Sequence, residues 1–338
     1  MSLKVVFFAK VHDRQVLERT EFYAVDIRIL QELGYEVQIV TDPLRIPSAD
    51  LYYVWWWTWA FFPLLNAAVQ QSPVIIVGTF DHILPNGSLE SFPHRPFWHQ
   101  WMIRQSLWRA EANVFVSKIE FNRLLQEFQI NNPYQSYHAV DGNIYKPVFT
   151  PKEKFFLSVC WMDKQNPIRK CLPETIHATV KLHKIYPEYK LVICGEKLEG
   201  YPPLAQLVSD LGAEEYIQFL GPVSQKEKID LMQRCAVYFQ PTRVEGFGLA
   251  IAEAMACGAP VVTSPVGSVP EVVGDIGAMA LGTDPQSIVE AAHTILSNPN
   301  HAQWLSHEGS KRISTIFTYE RRKAELQQII QRHSRRSS

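Results

Sequence analysis

Short apolar runs, rich in β-branched residues, alternate with helical stretches along most of the chain, and this alternation constrains the fold more than any other feature. Residues 3–9 form the first run, a helical stretch covers residues 21–33, and Gly34 is a fitting stop for that helix. Continuous apolar runs are typical of strands buried in a parallel sheet. Two such series, separated near residues 147–151, predict two doubly wound parallel α/β domains.

The longest apolar stretch, ADLYYVWWWTWAFFPLLNAAVQQSPVIIVGTFDHI, has no charged residue between Asp50 and Asp81 and holds four of the nine tryptophans. A membrane span needs about 20 unbroken apolar residues. Pro63 and the polar QQSP segment interrupt this one, and each piece fits the strand–helix alternation. We therefore predict a strand over residues 51–54, a helix over 62–70 and a strand over 74–79 rather than a span.

Charge and cysteine content exclude several classes of protein. The formal net charge of the 338 residues is -1, without the basic footprint of a nucleic-acid-binding domain. Five cysteines are widely spaced with no C-x-x-C pair, which indicates buried reduced thiols rather than disulfides or a zinc site. The N-terminus reads as a strand and not as a signal peptide. We expect a cytoplasmic protein; a peripheral contact with the inner membrane face is left open.

The segment QPTRVEGFGLAIAEAMACGAPVVTS carries the strongest sign of a ligand site. A strand ends at Pro241, and Gly246 and Gly248 then permit a tight turn and a close approach to a ligand. A helix begins near Leu249. The free N–H groups and the positive dipole end of a helix start bind anions such as phosphates.

Two glutamates flank this helix start. Glu245 stands in the loop and Glu253 on the helix; eight helical residues rise about 12 Å. The two carboxylates would therefore grip different parts of an elongated ligand, and a nucleotide sugar has that shape. For the glutamates alone, a plain loop and helix with a capping and a solvent-facing glutamate is the alternative.

Three linked segments, IQFLGPVSQKEKIDLM, PTRVEGFGLAIAEAMACGAPVVTS and GSVPEVVGD, resemble in order and spacing the retaining family-four glycosyltransferases, also called group 1. Weaker matches are SVCWMDKQNPIRK, HAVDGNIYKP and FTYERRKAEL. The resemblance implies the GT-B fold, with two Rossmann-like domains facing a cleft and, as an open point, a C-terminal helix that crosses back. The expected parts are an acceptor-side domain over residues 1–149, a donor-binding domain over 150–316, and a helix with a basic tail over 317–338.

The resemblance also implies roles for single residues of the second domain. Glu245 would contact the donor sugar and Glu253 the ribose hydroxyls, while the backbone of residues 246–249 would hold the sugar and diphosphate. A cationic pair would take up the charge of the departing diphosphate. Glu245 is expected to be catalytic as well, and the expected donor-binding residues are Arg169, Lys170, Val223, Gly246, Phe247, Gly248, Leu249 and Glu253.

The chain departs from the family pattern in two places. Cys160-Trp161 stands where the family usually has Gly-Arg, so one diphosphate cation is missing or is replaced by Lys164. The glycine-rich loop near the N-terminus is also absent, and FAKVHDRQVLERTEF stands there instead. Acceptor contacts from that loop are therefore not carried over.

In the first domain, the strand VIIVGTFDHI leads to Asp81 and His82, which the resemblance makes catalytic candidates; helix capping and a core histidine are the alternatives. The tryptophan run should reach the carboxyl end of its strand, where ligands bind in such sheets. Trp55 and Trp57 are therefore expected on the acceptor side, although adjacent tryptophans cannot all face one way.

The reaction that the resemblance implies is transfer of a sugar from a nucleotide-sugar donor to a carbohydrate or lipid-linked acceptor hydroxyl, with retention of anomeric configuration. The chain has no Asp-x-Asp motif, so neither a metal nor a cofactor is expected. The alternatives are an epimerase or phosphorylase on the same architecture and an inactive carbohydrate-binding protein.

Overall fold

The structure, a computed structural model, describes residues 3–80 and 92–334. The chain divides into two compact units, the first formed by Met1–Ala139 and Phe317–Ser338 and the second by Val140–Ile316. The predicted boundary was at residue 149. Residues 140–149 lie with the second unit because the Tyr145 hydroxyl donates to Glu253 and the carbonyl of Lys146 accepts from Gln233.

The first unit is built on a six-stranded parallel sheet with the order β2-β1-β3-β4-β5-β6. Its strands are β1 (Lys4–Ala9), β2 (Glu36–Val40), β3 (Leu51–Trp55), β4 (Val74–Gly78), β5 (Ala112–Phe115) and β6 (Pro133–Gln135). Its helices are α1 (Gln15–Arg19), α2 (Glu21–Glu32), α3 (Phe61–Gln70), α4 (Phe97–Arg109), α5 (Lys118–Glu127) and α14 (Tyr319–Ser334), with a 3-10 turn at Phe92–His94. Every residue of β3, β4 and β5 is buried, as their apolar sequences predict.

The charge-free stretch folds as β3, α3 and β4, which confirms the predicted strand–helix–strand reading. Gln71, in a left-handed backbone conformation, ends α3, and its N–H donates to the carbonyl of Ala67. Within the described ranges, no helix has the length and apolarity needed to cross a bilayer.

The C-terminal helix α14 packs into the first unit through a buried ion pair. Arg322 and Asp26 are 1% and 0% exposed, and the guanidinium donates to both carboxylate oxygens at 2.6 and 2.7 Å. Arg322 also donates to the carbonyls of Ser136 and Tyr137. Burial opposes the charge of the guanidinium, but Asp26 outweighs it and raises the pKa of Arg322. The final helix is therefore part of the first unit's core.

The second unit holds a second six-stranded parallel sheet with the order β12-β11-β10-β7-β8-β9. Its strands are β7 (Glu153–Val159), β8 (Lys190–Cys194), β9 (Ile217–Gly221), β10 (Cys235–Gln240), β11 (Val261–Thr263) and β12 (Ala278–Met279). Its helices are α6 (Asn166–Arg169), α7 (Leu172–His183), α8 (Tyr201–Asp210), α9 (Gln225–Arg234), α10 (Leu249–Ala256), α11 (Val269–Val273), α12 (Pro285–Leu296) and α13 (Pro299–Ile316). The order places β7 and β10 centrally, so the loops after these two strands lie side by side.

Most predicted elements are present with ends shifted by one to four residues. The helix predicted to begin near Leu249 does begin at that residue, and α8 begins at Tyr201, where Pro202 and Pro203 fit a first helical turn. The long helices α12 and α13 were not predicted. Asp284 caps α12 by accepting from the backbone N–H groups of Gln286 and Ser287, an N-terminal signal that the sequence reading missed.

Candidate functional site in the second unit

The loop between β10 and α10 is held in a compact shape by two glycines. Gly248 has φ +95° and precedes α10, a backbone conformation that favours glycine. Gly267 has φ +54°, and a Cβ atom there would lie 2.0 Å from the Glu245 carbonyl oxygen. The turn after β11 therefore packs directly on the backbone of Glu245 and fixes the loop in front of the helix.

Arg169 lies beside the Glu245 carboxylate. The Arg169 Nη1 donates to Glu245 Oε2 at 3.3 Å and to the carbonyl of Val244 at 3.1 Å. The backbone is joined as well, because the N–H of Arg243 donates to the Arg169 carbonyl at 2.8 Å. The loop after β7 and the loop after β10 thus form one connected surface at the carboxyl ends of the two central strands.

Glu253 projects from the middle of α10 and is 4% exposed. Its Oε2 accepts from Lys228 Nζ at 2.7 Å, and its Oε1 accepts from the Tyr145 hydroxyl at 3.1 Å. Lys228 Nζ also lies 3.1 Å from the Tyr145 hydroxyl oxygen. The carboxylate is therefore fixed by a cation and a phenol that the sequence reading did not single out.

Lys228 and Tyr145 could have been noticed only as parts of longer motifs. Lys228 lies one turn into α9, directly after the capping box formed by Ser224 and Glu227. Tyr145 belongs to the segment HAVDGNIYKP, 108 residues from Glu253 in the chain. Neither residue is marked by a regular spacing in the sequence, because both contacts depend on how α9, α10 and the segment around Tyr145 pack together.

Lys170 is the second cation of this surface. Its Nζ donates to the carbonyl of Val159 at 3.3 Å. Burial lowers the pKa of its ammonium group, and the carboxylates of Glu245 and Glu253 act in the opposite direction. Both glutamates therefore act electrostatically on the same lysine. The next residue, Cys171, is buried with a left-handed φ of 48° and begins α7.

The backbone before α10 offers groups suited to an anion. The first N–H groups of an α-helix have no partner inside the helix, and the dipole is positive at that end. The side chain of Phe247 is 3% exposed and belongs to the core, so this residue presents only its backbone. Gly246, Gly248 and Leu249 form the rest of this short stretch, next to Glu245 and its arginine.

The remaining predicted residues of the second unit have mixed surroundings. Val223 is half-buried just before the cap of α9, after Gly221, whose φ is +83°. Trp161, in the place of the family's arginine, is 49% exposed, and Lys164 is also exposed. The carbonyl of Cys160 approaches the backbone of Gly195 so closely that a Cβ there would lie 2.0 Å away. Lys164 as the replacement cation stays a prediction.

In the first unit, the expectation for Trp55 and Trp57 has to be corrected. Their side chains are 1% and 2% exposed, because Trp55 ends the fully buried strand β3 and Trp57, in the turn after it, packs into the core. Trp57 donates to Asn113 Oδ1 at 2.7 Å and stacks on Phe115, while Trp55 stacks on His138. Both indoles are core residues in this structure, and Trp57 in addition lines a cavity beside Trp56.

Trp56, between them, lies nearer the surface. It has φ +73°, and its Nε1 donates to the Tyr23 hydroxyl at 2.7 Å. It lines a cavity of about 180 Å³ with Trp57, Thr58, Thr79, Phe80, Arg95 and Ile103. The cavity lies where β3 and β4 end, the edge at which such sheets bind ligands. The catalytic candidates Asp81 and His82 lie outside the described residues.

The architecture of two doubly wound parallel α/β units defines a class of protein, because it is the GT-B fold. Residues 147–312 match the family model described as glycosyl transferases group 1. The matched residues make up most of the second unit, and they identify that unit as a group 1 glycosyltransferase domain.

Known proteins agree with this assignment. An MMP alpha-(1->4)-mannosyltransferase of Mycolicibacterium hassiacum is 26% identical over 209 residues, which cover 61% of this chain and 50% of that protein. An O-antigen chain mannosyltransferase, RfbU, of Salmonella typhimurium is 23% identical, covering 78% of this chain and 76% of that protein. The match thus spans about half the length of the first relative and three quarters of the second.

A solved structure supports the fold. Anabaena Alr3699/HepE, crystallised in complex with UDP-glucose, superposes with a TM-score of 0.77 at 17% identity, covering 98% of this chain and 99% of that one. At this level of identity the likeness concerns the architecture, and it extends over both units.

Proposed function

We propose that this chain transfers a sugar from a nucleotide-sugar donor to the hydroxyl group of a glycan acceptor, with the donor bound by the second unit. The observation that carries the proposal is the pair of carboxylates around the start of α10, with Arg169 at Glu245 and Lys228 at Glu253. The mannosyltransferase relatives and the UDP-glucose complex of the structural neighbour support the same class of reaction and ligand.

Each group has a role that its chemistry suits. Glu253 accepts hydrogen bonds from the ribose hydroxyls, and the hydrogen bond from Lys228 orients that carboxylate. Glu245 contacts the hydroxyls of the donor sugar. The diphosphate lies against the first N–H groups of α10, with Arg169 and Lys170 nearby. These groups stabilise the negative charge that develops on the leaving nucleoside diphosphate.

We further propose that transfer proceeds with retention and without a bound metal ion. In this mechanism the donor diphosphate accepts the proton of the acceptor hydroxyl on the same face of the sugar from which it departs. Arg169, Lys170 and the dipole of α10 supply the positive charge that the diphosphate needs. The cavity beside Trp56 takes part of the acceptor, which is a carbohydrate or a lipid-linked glycan, and the enzyme works as a peripheral protein at the cytoplasmic face of a membrane.

A panel of nucleotide sugars, tested by calorimetry and by slow donor hydrolysis, tests the donor site. Losing a hydrogen bond to a charged group costs about 1.5–3 kcal/mol, so Glu253→Gln and Lys170→Met should each weaken binding of the preferred donor by about 10- to 100-fold. Lys226→Met is the matched control, because Lys226 is an exposed residue of the same helix as Lys228. Equal donor binding by all variants and the wild type would refute the site, and no binding across the panel would refute the function.

The stereochemistry and metal dependence need a separate experiment. With the preferred donor and an accepted acceptor, the anomeric proton of the new glycoside, followed by NMR, should show the donor's configuration. Addition of EDTA should leave the rate unchanged. An inverted product would refute retention, and a rate restored only by a divalent cation would refute the metal-free mechanism.

A further inference from the structure

The helices α3 and α4 of the first unit carry a row of large apolar side chains that face solvent. On α3, Leu65 and Val69 are 52% and 85% exposed. On α4, the exposed fraction is 84% for Phe97, 54% for Trp98, 44% for Trp101 and 50% for Trp108. Single exposed apolar residues are common on proteins, but a contiguous group marks an interaction surface.

These side chains form one face rather than scattered positions. Phe97, Trp101 and Trp108 are spaced by four and seven residues, so they project from the same side of α4. The opposite side of α4, with Ile103 and Leu107, is buried in the unit. The rings of Phe61 on α3 and Trp101 on α4 lie 5.3 Å apart, which joins the exposed rows of the two helices.

In the described residues of the two segments that carry this face, the charge has a single sign. The sequence contains no Asp or Glu in residues 51–80 or 92–110. Arg104 and Arg109 are exposed on α4, and the Arg109 guanidinium lies 5.5 Å from the centre of the Trp108 ring. The next acid, Glu111, is turned towards the sheet and accepts from the backbone N–H of Val74 at 2.6 Å. A partner for this face is therefore apolar and negatively charged.

We propose that the α3–α4 face, defined by Phe61, Leu65, Val69, Phe97, Trp101 and Trp108, binds the surface of an anionic lipid bilayer. Indole rings are favoured at the level of lipid headgroups, where the ring is buried and the N–H stays solvated. Arginines beside them attract anionic lipids. The two helices lie in the interface without crossing it, as amphipathic surface helices do.

This inference specifies the proposed membrane contact and rests on that part of the proposed function, but not on the donor assignment. It is therefore tested without nucleotide, by sedimentation of the full chain with vesicles of equal parts phosphatidylcholine and phosphatidylglycerol. Vesicles of phosphatidylcholine alone have no net charge, so the difference in binding between the two kinds of vesicle measures the contribution of charge. Donor binding by calorimetry, measured in parallel, reports separately on the second unit.

Trp101→Ser and Trp108→Ser should each lower the vesicle partition coefficient by about tenfold, because each removes exposed indole area that the bilayer would otherwise bury. Arg109→Gln should lower it about fivefold on mixed vesicles and leave it unchanged on phosphatidylcholine, equal to about 1 kcal/mol per basic residue. The control is Trp304→Ser, because Trp304 on α13 is 46% exposed, like Trp101. All these residues lie at the surface, so the variants should keep the donor affinity of the wild type.

Two results would overturn the inference. In the first, the wild type fails to bind mixed vesicles, or Trp101→Ser binds them as well as Trp304→Ser does. In the second, the wild type is a dimer in solution that Trp101→Ser makes monomeric, which would make this face a contact between two copies of the chain. Loss of vesicle binding with unchanged donor affinity supports the inference. If Trp101→Ser loses both vesicle binding and donor affinity, its fold is damaged, and the vesicle binding of Trp108→Ser then decides whether the inference holds.

Discussion

Replacement of Arg322 by methionine should destabilise the first unit more than any surface change on the same helix. Methionine fills much of the space of the arginine stem, so the loss is mainly electrostatic. The substitution removes both hydrogen bonds to Asp26, at 2.6 and 2.7 Å, and those to two backbone carbonyls at 3.2 and 2.8 Å. The Asp26 carboxylate, 0% exposed, then retains the Tyr53 hydroxyl at 2.7 Å as its neutral donor.

The size of the effect follows from the burial of the pair. Breaking a buried ion pair on one side costs about 3–5 kcal/mol, because an uncompensated charge remains in the interior. The two carbonyls that lose a donor add about 1 kcal/mol or more. We expect a loss of about 5 kcal/mol in the free energy of unfolding of the first unit. For a unit of this size that corresponds to a fall in its melting temperature of roughly 10–20 °C.

Thermal unfolding followed by circular dichroism, together with hydrogen exchange of the amides of α14, measures this loss. Exchange locates the effect in the first unit, since a chain of two units does not unfold in a single step. Arg321→Met is the control: its partner Glu325 lies 2.8 Å away, but the arginine side chain is 46% exposed, so the change should cost about 1 kcal/mol or less. The double variant Asp26→Asn with Arg322→Met should recover part of the stability, because no buried charge remains.

The reasoning would be refuted if Arg322→Met and Arg321→Met had equal melting temperatures and equal exchange in α14. It would also be refuted if the double variant were less stable than Arg322→Met by the same free energy that Asp26→Asn alone costs the wild type. The contacts of α14 lead to a related expectation: a chain that ends before Tyr319 should fold poorly, since Arg322 would be absent.

Three further predictions concern the second unit. Gly267→Ala should lower stability by about 1–3 kcal/mol and weaken donor binding, because its Cβ would lie 2.0 Å from the Glu245 carbonyl oxygen; urea unfolding and calorimetry measure both, and a neutral variant would contradict the close packing. Since burial lowers the pKa of Lys170, donor affinity should fall as the pH rises through that lowered pKa. The unliganded protein should gain stability over the same pH range, because its unfolded state binds more protons than its folded state. Calorimetry and unfolding measurements across alkaline pH check both signs, and Lys170→Met should show neither pH dependence. Burial raises the pKa of the Cys235 thiol to about 12, so a thiol reagent at pH 8 should not modify it until the protein unfolds, and rapid labelling of the native chain would contradict its burial.

The sequence alone determined the architecture and the local backbone features of the loop between β10 and α10. Continuous apolar strands must be covered on both faces, which leads to parallel sheets with helices on each side, and both sheets have this form. The glycines around Glu245 and the helix start at Leu249 are local features, readable because a turn and a helix cap depend on neighbouring residues. The five buried, unpaired cysteines were also predicted, from their number and spacing.

The tertiary structure decided the contacts between residues far apart in the chain. Lys228 and Tyr145 meet Glu253, and Arg322 meets Asp26 across 296 positions, because helices and loops from separate segments pack together. No local pattern encodes such a meeting.

The tryptophan run is a second case in which the sequence did not predict the surroundings of a side chain. Composition suggested an aromatic binding surface at Trp55 and Trp57, but a central strand has core on both faces, so both indoles are buried. Three exposed tryptophans of the first unit lie instead on α4, where the sequence pattern of a helix does not reveal which side the sheet covers. Burial depends on the neighbours that a strand or helix acquires on folding, and only the tertiary structure supplies those neighbours.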